Sequence, residues 1–250
     1  MKLVNFQDIG RVSFRETWKL QGAIQNRLIG EKLAERDNRL TGSRSNDVLL
    51  MVEHPHVFTL GKSGDVRHLL KTEQELDDLD AEFVKIDRGG DITYHGPGQI
   101  VAYPILDLTR YFTDIHKYLR YLEEVVIRTC ADYQIKAGRI KGLTGVWVNG
   151  AKIAAFGIRC SRWVTMHGLA LNVHPDLDYF SHIIPCGIGD KKVTSLQELL
   201  KKKINIEQVK VKLKQNFEEV FDVSLQAGGL LPELPAGNLR FHHQTKLFGP

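Results

Sequence analysis

Only three cysteines occur in 250 residues, Cys130, Cys160 and Cys186, and no two of them form a C-x-x-C pair. That is neither the even count nor the density of a secreted disulfide framework, and it offers no zinc-ribbon spacing, so reduced thiols are expected. No uninterrupted apolar run reaches the roughly 18 residues that a membrane span needs. The chain begins Met1-Lys2-Leu3-Val4-Asn5-Phe6 and meets charged residues before an apolar stretch develops, so no secretory signal is read there. The formal net charge of +4 is too small an excess to indicate nucleic acid. A cytoplasmic protein without membrane or nucleic-acid partners is the expectation.

Linkers are missing too. No Ser/Gly/Pro-rich stretch or long charge run divides the chain, which predicts a single domain over residues 1–225 and a tail over 226–250 of unassigned role. Neither a Walker A loop nor a dinucleotide fingerprint is present. His54-x-His56 supplies two potential metal ligands where zinc requires three or four, and the ten histidines form no evident set, so no metal is expected.

What is present reads as α+β. Ser13-Phe14-Arg15-Glu16 has capping-box spacing and opens a helix to about Arg36, with Trp18, Ala23, Ile24, Leu28 and Leu33 available for burial. Val48 to Val52 and Val57 to Leu60 read as two strands around a turn at His54-Pro55-His56. Further strands are expected at Phe83 to Ile86 and Ile100 to Leu106, with a glycine-rich loop between them. Ile115, Leu119, Leu122, Val126 and Cys130 recur at helical steps within a helix from about Asp114 to Tyr133. Val146 to Val148 and Ile153 to Ile158 flank Asn149-Gly150, a type I′ hairpin signal. Another strand spans Gly168 to Val173, and helices follow near Ser195 to Lys202 and Ile206 to Phe221. Lys201-Lys202-Lys203 falls where cations meet the negative end of a helix dipole. Helices flanking hairpin-connected strands, without regular βαβ alternation, give the α+β class.

Two segments carry chemistry. Arg88-Gly89-Gly90-Asp91-Ile92-Thr93-Tyr94-His95-Gly96-Pro97-Gly98-Gln99 places four glycines among twelve residues. Such a segment is either a tight structural turn or a ligand-facing loop with exposed N–H groups. Cys186 lies between Pro185 and Gly187, a setting that can project a thiol from a sharp turn. Cys130, on an apolar helical face, and Cys160, near a strand end, read as core packing. A thiol with a pKa of about 8.5 benefits from a nearby base, and a desolvated lysine can serve. Lys152, which opens an apolar strand after the hairpin turn, reads either as that partner or as an exposed strand-end lysine.

His54-Pro55-His56-Val57-Phe58-Thr59-Leu60-Gly61-Lys62, the Arg88 to Gln99 segment, Gly150-Ala151-Lys152-Ile153-Ala154 and Pro185-Cys186-Gly187-Ile188 together resemble the motifs of the lipoyl(octanoyl) transferases. The resemblance spans roughly residues 15 to 222. It implies the fold of the biotin/lipoate protein ligases, a mixed sheet curved around an acyl site with helices outside. It implies that Cys186 is the acyl nucleophile and Lys152 the general acid/base. The acyl site would be lined by Arg88, Gly89, Gly90, Asp91, Ile92, Thr93, Tyr94 and His95, by Ala155, Phe156 and Gly157, and by Gly168, Leu169 and Ala170. The implied reaction moves an octanoyl group from the phosphopantetheine thioester of acyl carrier protein to Cys186. From there the group passes to a lysine of a lipoyl domain of a 2-oxo acid dehydrogenase, or of the glycine cleavage H protein. No further cofactor is implied. The rivals are an ATP-dependent ligase for free lipoate or biotin, which needs no nucleophilic thiol, and a non-catalytic carrier-binding module.

Overall fold

The computed structural model describes residues 1–42, 44–184 and 192–228. The chain runs β1 (Lys2–Arg11), α1 (Phe14–Arg36), β2 (Asp47–Glu53), β3 (Val57–Leu60), α2 (Glu73–Asp78), β4 (Glu82–Lys85), β5 (Ile92–His95) and β6 (Gln99–Ile105). It continues with α3 (Ile115–Ala131), β7 (Gly138–Ile140), β8 (Leu143–Val148), β9 (Ala151–Ser161), β10 (Val164–Asn172), α4 (Leu196–Leu200), α5 (Ile206–Phe221) and β11 (Val223–Ala227). Eight strands form one mixed sheet in the order β11-β1-β2-β6-β10-β9-β8-β7, and β4-β3-β5 form a second, small sheet. This is the expected α+β class. The tail expected from residue 226 overlaps β11, which runs to Ala227 alongside β1; residues 229–250 lie outside the described residues.

The central strands are apolar on both faces because both faces are covered. In β2, Leu49 and Met51 join a core with α3 and α5, whereas Val48, Leu50 and Val52 pack under Leu20, Ile24 and Leu28 of α1. That is why the segment reads as a continuous apolar run rather than an alternating one. Helix α1 also buries two glutamines. Gln25 donates to the Val164 carbonyl at 2.9 Å, and the Gln21 carbonyl accepts from the His167 N–H at 2.9 Å, fastening the helix to β10. Its N-cap is Ser13, whose hydroxyl accepts from the Glu16 N–H and donates to the Glu16 carboxylate at 2.7 Å.

Three points refine or correct the expectations. First, β2 and β3 form on either side of His54-Pro55-His56 as expected, but they belong to different sheets and do not pair. The His54 ring is buried between the Val12 carbonyl (2.7 Å) and the Tyr103 hydroxyl (2.8 Å), and the chain leaves the large sheet there to start the small one. Second, the glycine-rich segment is not one loop, since Ile92–His95 forms β5, antiparallel to β3. Third, Trp18, Ala23 and Leu33 of α1 are only partly buried, while Gln21 and Gln25 are buried in the interior.

Candidate active site

The small sheet stands over the α1-side face of the large sheet, and a cavity of about 440 Å³ lies between them. That is within the range of roughly 300–1,000 Å³ usual for small-molecule sites. Its walls come from three stretches of chain. Arg88 to His95 forms one side, Lys152 with Ala155 to Ile158 of β9 another, and His167 to Ala170 of β10 the floor, joined by Val101 and Tyr103 of β6. All fourteen residues expected to line an acyl site border this one space, and Lys152 opens into it.

Strand pairing explains the convergence. Ala155 lies opposite Ala170 and Gly157 opposite Gly168 across the β9–β10 ladder, so small side chains share the cavity face. Alternation sends Leu169 and Phe156 to the other face, where they join the core beneath α3 and α5. Lys152 and Ala155 are an odd number of residues apart and by alternation alone would face opposite ways. The register between β8 and β9 shifts at this point: Trp147 pairs with Lys152, but Val146 pairs with Ala154. The extra residue, Ile153, forms a bulge that restores Lys152 to the cavity face.

At Gly157 a neighbouring side chain occupies the place of a Cβ. A Cβ there would stand 2.4 Å from Cδ and 2.7 Å from Nη1 of Arg88, so the guanidinium side chain lies directly across β9. Arg88 is buried and donates to the carbonyls of Gly89 (2.8 Å), Asp91 (2.8 Å) and Thr59 (3.3 Å), knitting the glycine turn to β3. Asp91 in turn accepts from His68 at 2.6 Å. The His68 carbonyl accepts the Ile184 N–H at 2.8 Å, and the Lys192 carbonyl accepts the Lys152 N–H at 2.8 Å. The chain entering and leaving residues 185–191 is thus fastened to the His68 segment on one side and to β9 on the other. Cys186 itself lies outside the described residues.

The histidines around the cavity are neutral. Burial pushes His54 down to about 4 and His95 down to about 3, and it also lowers His167, whose ring bonds to Asp87 at 3.0 Å. The His167 hydrogen bond, then the nearby charge of Arg159, holds the Asp87 carboxyl below its ordinary value. The two described cysteines lie away from the cavity, and burial pushes Cys130 up to about 12 and Cys160 upward as well. Burial thus favours the protonated thiol at both positions, in keeping with core packing. Among the described residues no group of three or more His, Cys, Asp or Glu could hold a metal ion. Nor does any helix among them have the length and apolarity to cross a membrane.

Sequence reasoning did not single out Phe14, Leu143, Trp147 or Lys192, which also border the cavity. Trp147 had a usable signal, since its place in the Asn149-Gly150 hairpin puts it across from Lys152.

The family described as lipoyl protein ligase A/B catalytic domain matches residues 25–218. The chain belongs to this family. It is 53% identical over 233 residues to a protein named octanoyltransferase from Christiangramia forsetii, covering 90% of this chain and 98% of that one. It is 49% identical over 232 residues to an octanoyltransferase from Cytophaga hutchinsonii, covering 90% and 95%. Among solved structures, a lipoate-protein ligase A bound with ATP shares the fold, with a TM-score of 0.66 at 14% identity over 91% of this chain and 88% of that one. The four motifs and the transferase relatives agree on an acyl-transferring enzyme of protein lipoylation.

Proposed function

We propose that this cytoplasmic enzyme moves an octanoyl or lipoyl group from acyl carrier protein to a lysine of a 2-oxo acid dehydrogenase lipoyl domain or of the glycine cleavage H protein. The transfer passes through a thioester on Cys186, with Lys152 as general acid/base, and needs neither ATP nor a cofactor of the enzyme's own. The supporting observation is the cavity: apolar and small residues of β6, β9 and β10 line a trough, and Lys152 stands at its side next to the backbone that leads out of residues 185–191.

The chemistry balances without an activating nucleotide. Lys152 takes the Cys186 proton, and the thiolate attacks the carrier thioester carbonyl. The C–S bond to phosphopantetheine breaks, and Lys152 returns the proton to the departing thiolate. The acceptor amine then attacks the Cys186 thioester, an amide forms, the amine's proton passes through Lys152, and the Cys186 thiol is regenerated. The first step exchanges one thioester for another and the second converts a thioester into the more stable amide, so no outside energy source is needed and the role left to the enzyme is to hold the chain away from water.

Protein mixed with octanoyl-carrier and no ATP should gain the mass of one octanoyl group, and Cys186→Ala should gain none. An adduct on Cys130 or Cys160, or transfer that starts only when ATP and free octanoate are supplied, would sink the reading. Lys152→Ala should keep the fold and lose turnover.

A further inference from the structure

We infer that Trp147 is a positioning residue for Lys152, holding the amine over the cavity with the face of its indole ring. The inference rests on the acid/base role proposed for Lys152, but its geometry is independent of it. The Lys152 Nζ stands 4.9 Å from the centre of the Trp147 ring, within the roughly 6 Å over which a ring quadrupole attracts a cation, which is the form Lys152 takes once it holds the Cys186 proton. The two residues are direct cross-strand partners on one face, and the bulge at Ile153 keeps them so. A regular ladder would put Lys152 on the wrong face whenever Ala155 faced the cavity.

The surroundings of this pair are built for it. Gly145 carries no side chain where one would meet Nε1 of Trp147 at 3.1 Å and Cε of Lys152 at 3.2 Å, so the ring and the lysine stem fill the space over its backbone. The Gly145 N–H is held by the buried Glu123 carboxylate at 3.2 Å, itself bound by Arg139 at 2.9 Å. On its other side, Lys152 is tied through both backbone groups to Lys192 and Thr194. The lysine backbone is therefore fixed on two edges, while the indole face constrains the four-carbon stem. The Trp147 Nε1 is buried and has no hydrogen-bond partner among the described residues. The ring is thus held by packing, and a phenyl ring can replace it without breaking a hydrogen bond.

The test has a spectroscopic and a kinetic arm. In protein labelled with 13C-lysine, the ε-methylene signal that vanishes in Lys152→Ala should lie upfield of the other lysines, because a ring current shields protons above its face. In Trp147→Leu it should return to the common position, and in Trp147→Phe it should stay shifted. In turnover, Trp147→Leu should lower kcat about tenfold with KM changed by less than about twofold, and Trp147→Phe should recover most of the loss, as expected for a cation–π contact. A wild-type signal within the lysine envelope overturns the inference, and so does undiminished kcat in Trp147→Leu or a Phe variant no better than Leu. If Trp147→Leu does not fold, the wild-type spectrum and the Phe variant still decide. Near-normal turnover in Lys152→Ala would overturn the acid/base role instead, while the ring-current shift would still report the pairing.

Discussion

Replacing Gly157 by alanine adds one methyl group to the cavity face of β9, and the structure gives the size of the effect. The new Cβ would lie 2.4, 2.7 and 2.8 Å from Cδ, Nη1 and Cγ of Arg88, so the arginine stem has to move. Moving it strains or breaks the bonds to the Gly89 and Asp91 carbonyls, both 2.8 Å. Bonds to a charged donor contribute about 1.5–3 kcal/mol each, and partial relaxation recovers some of that, giving an expected destabilisation of about 2–3 kcal/mol. Urea unfolding should show a midpoint lower by on the order of 1 M. Octanoyl transfer should weaken too, because the glycine turn is part of the cavity wall. The decisive comparison is a double-mutant cycle with Arg88→Ala, in which the clash has no partner and Gly157→Ala should cost little more. Additive losses would refute the contact. Gly168→Ala serves as the contrast: its Cβ would stand 2.1 Å from the backbone carbonyl of Ala102, and no side-chain truncation can relieve that.

Two further outcomes follow from the cavity and its histidines. Shortening the donor acyl chain from eight carbons should lower kcat/KM by roughly fourfold per methylene removed, since each buried CH₂ contributes about 0.8 kcal/mol; a flat series would mean the chain is not held in this trough. His54 and His95 have folded values lowered to about 4 and about 3 by burial, so the unfolded chain takes up their protons first. Their effect on stability is absent above pH 6.5 and grows as pH falls, to on the order of 3 kcal/mol each by pH 4. Melting temperature should therefore drop steeply between pH 6.5 and 4, and His95→Gln should flatten that dependence; an unchanged slope would count against a buried neutral ring.

The parts of the fold that could be read in the sequence are those where one local rule decides. Asn149 and Gly150 have φ of +49° and +80°, the pair of left-handed residues that a type I′ turn demands. The next hairpin, β9 to β10, turns through Arg162 and Trp163 with φ of +51° and +67°, residues that carry no turn signal, so the tertiary pairing imposes the conformation. β1 carries no strand pattern in the sequence because Val4 alone among its residues is buried. β5 was hidden by the glycines around it. The cavity wall was legible as three motifs, but not the depth supplied by Phe14, Tyr103 and His167, which reach it from α1, β6 and β10 through packing that no local pattern records.

The bulge at Ile153 links the cavity wall to the orientation of Lys152. Strand periodicity places Ile153 and Ala154 on opposite faces, yet both belong to the core beneath α3 and α5. Two consecutive core residues in a strand mark an inserted position, and the insertion decides which way Lys152 points. Deleting Ile153 would restore regular pairing and send the Lys152 amine toward the core beneath α3 and α5, or else shift Ala155 and Gly157 out of the cavity. Neither alternative keeps the amine and this wall of the cavity together. A regular strand could supply a lysine or a trough at this place in the sheet, and the irregular one supplies both.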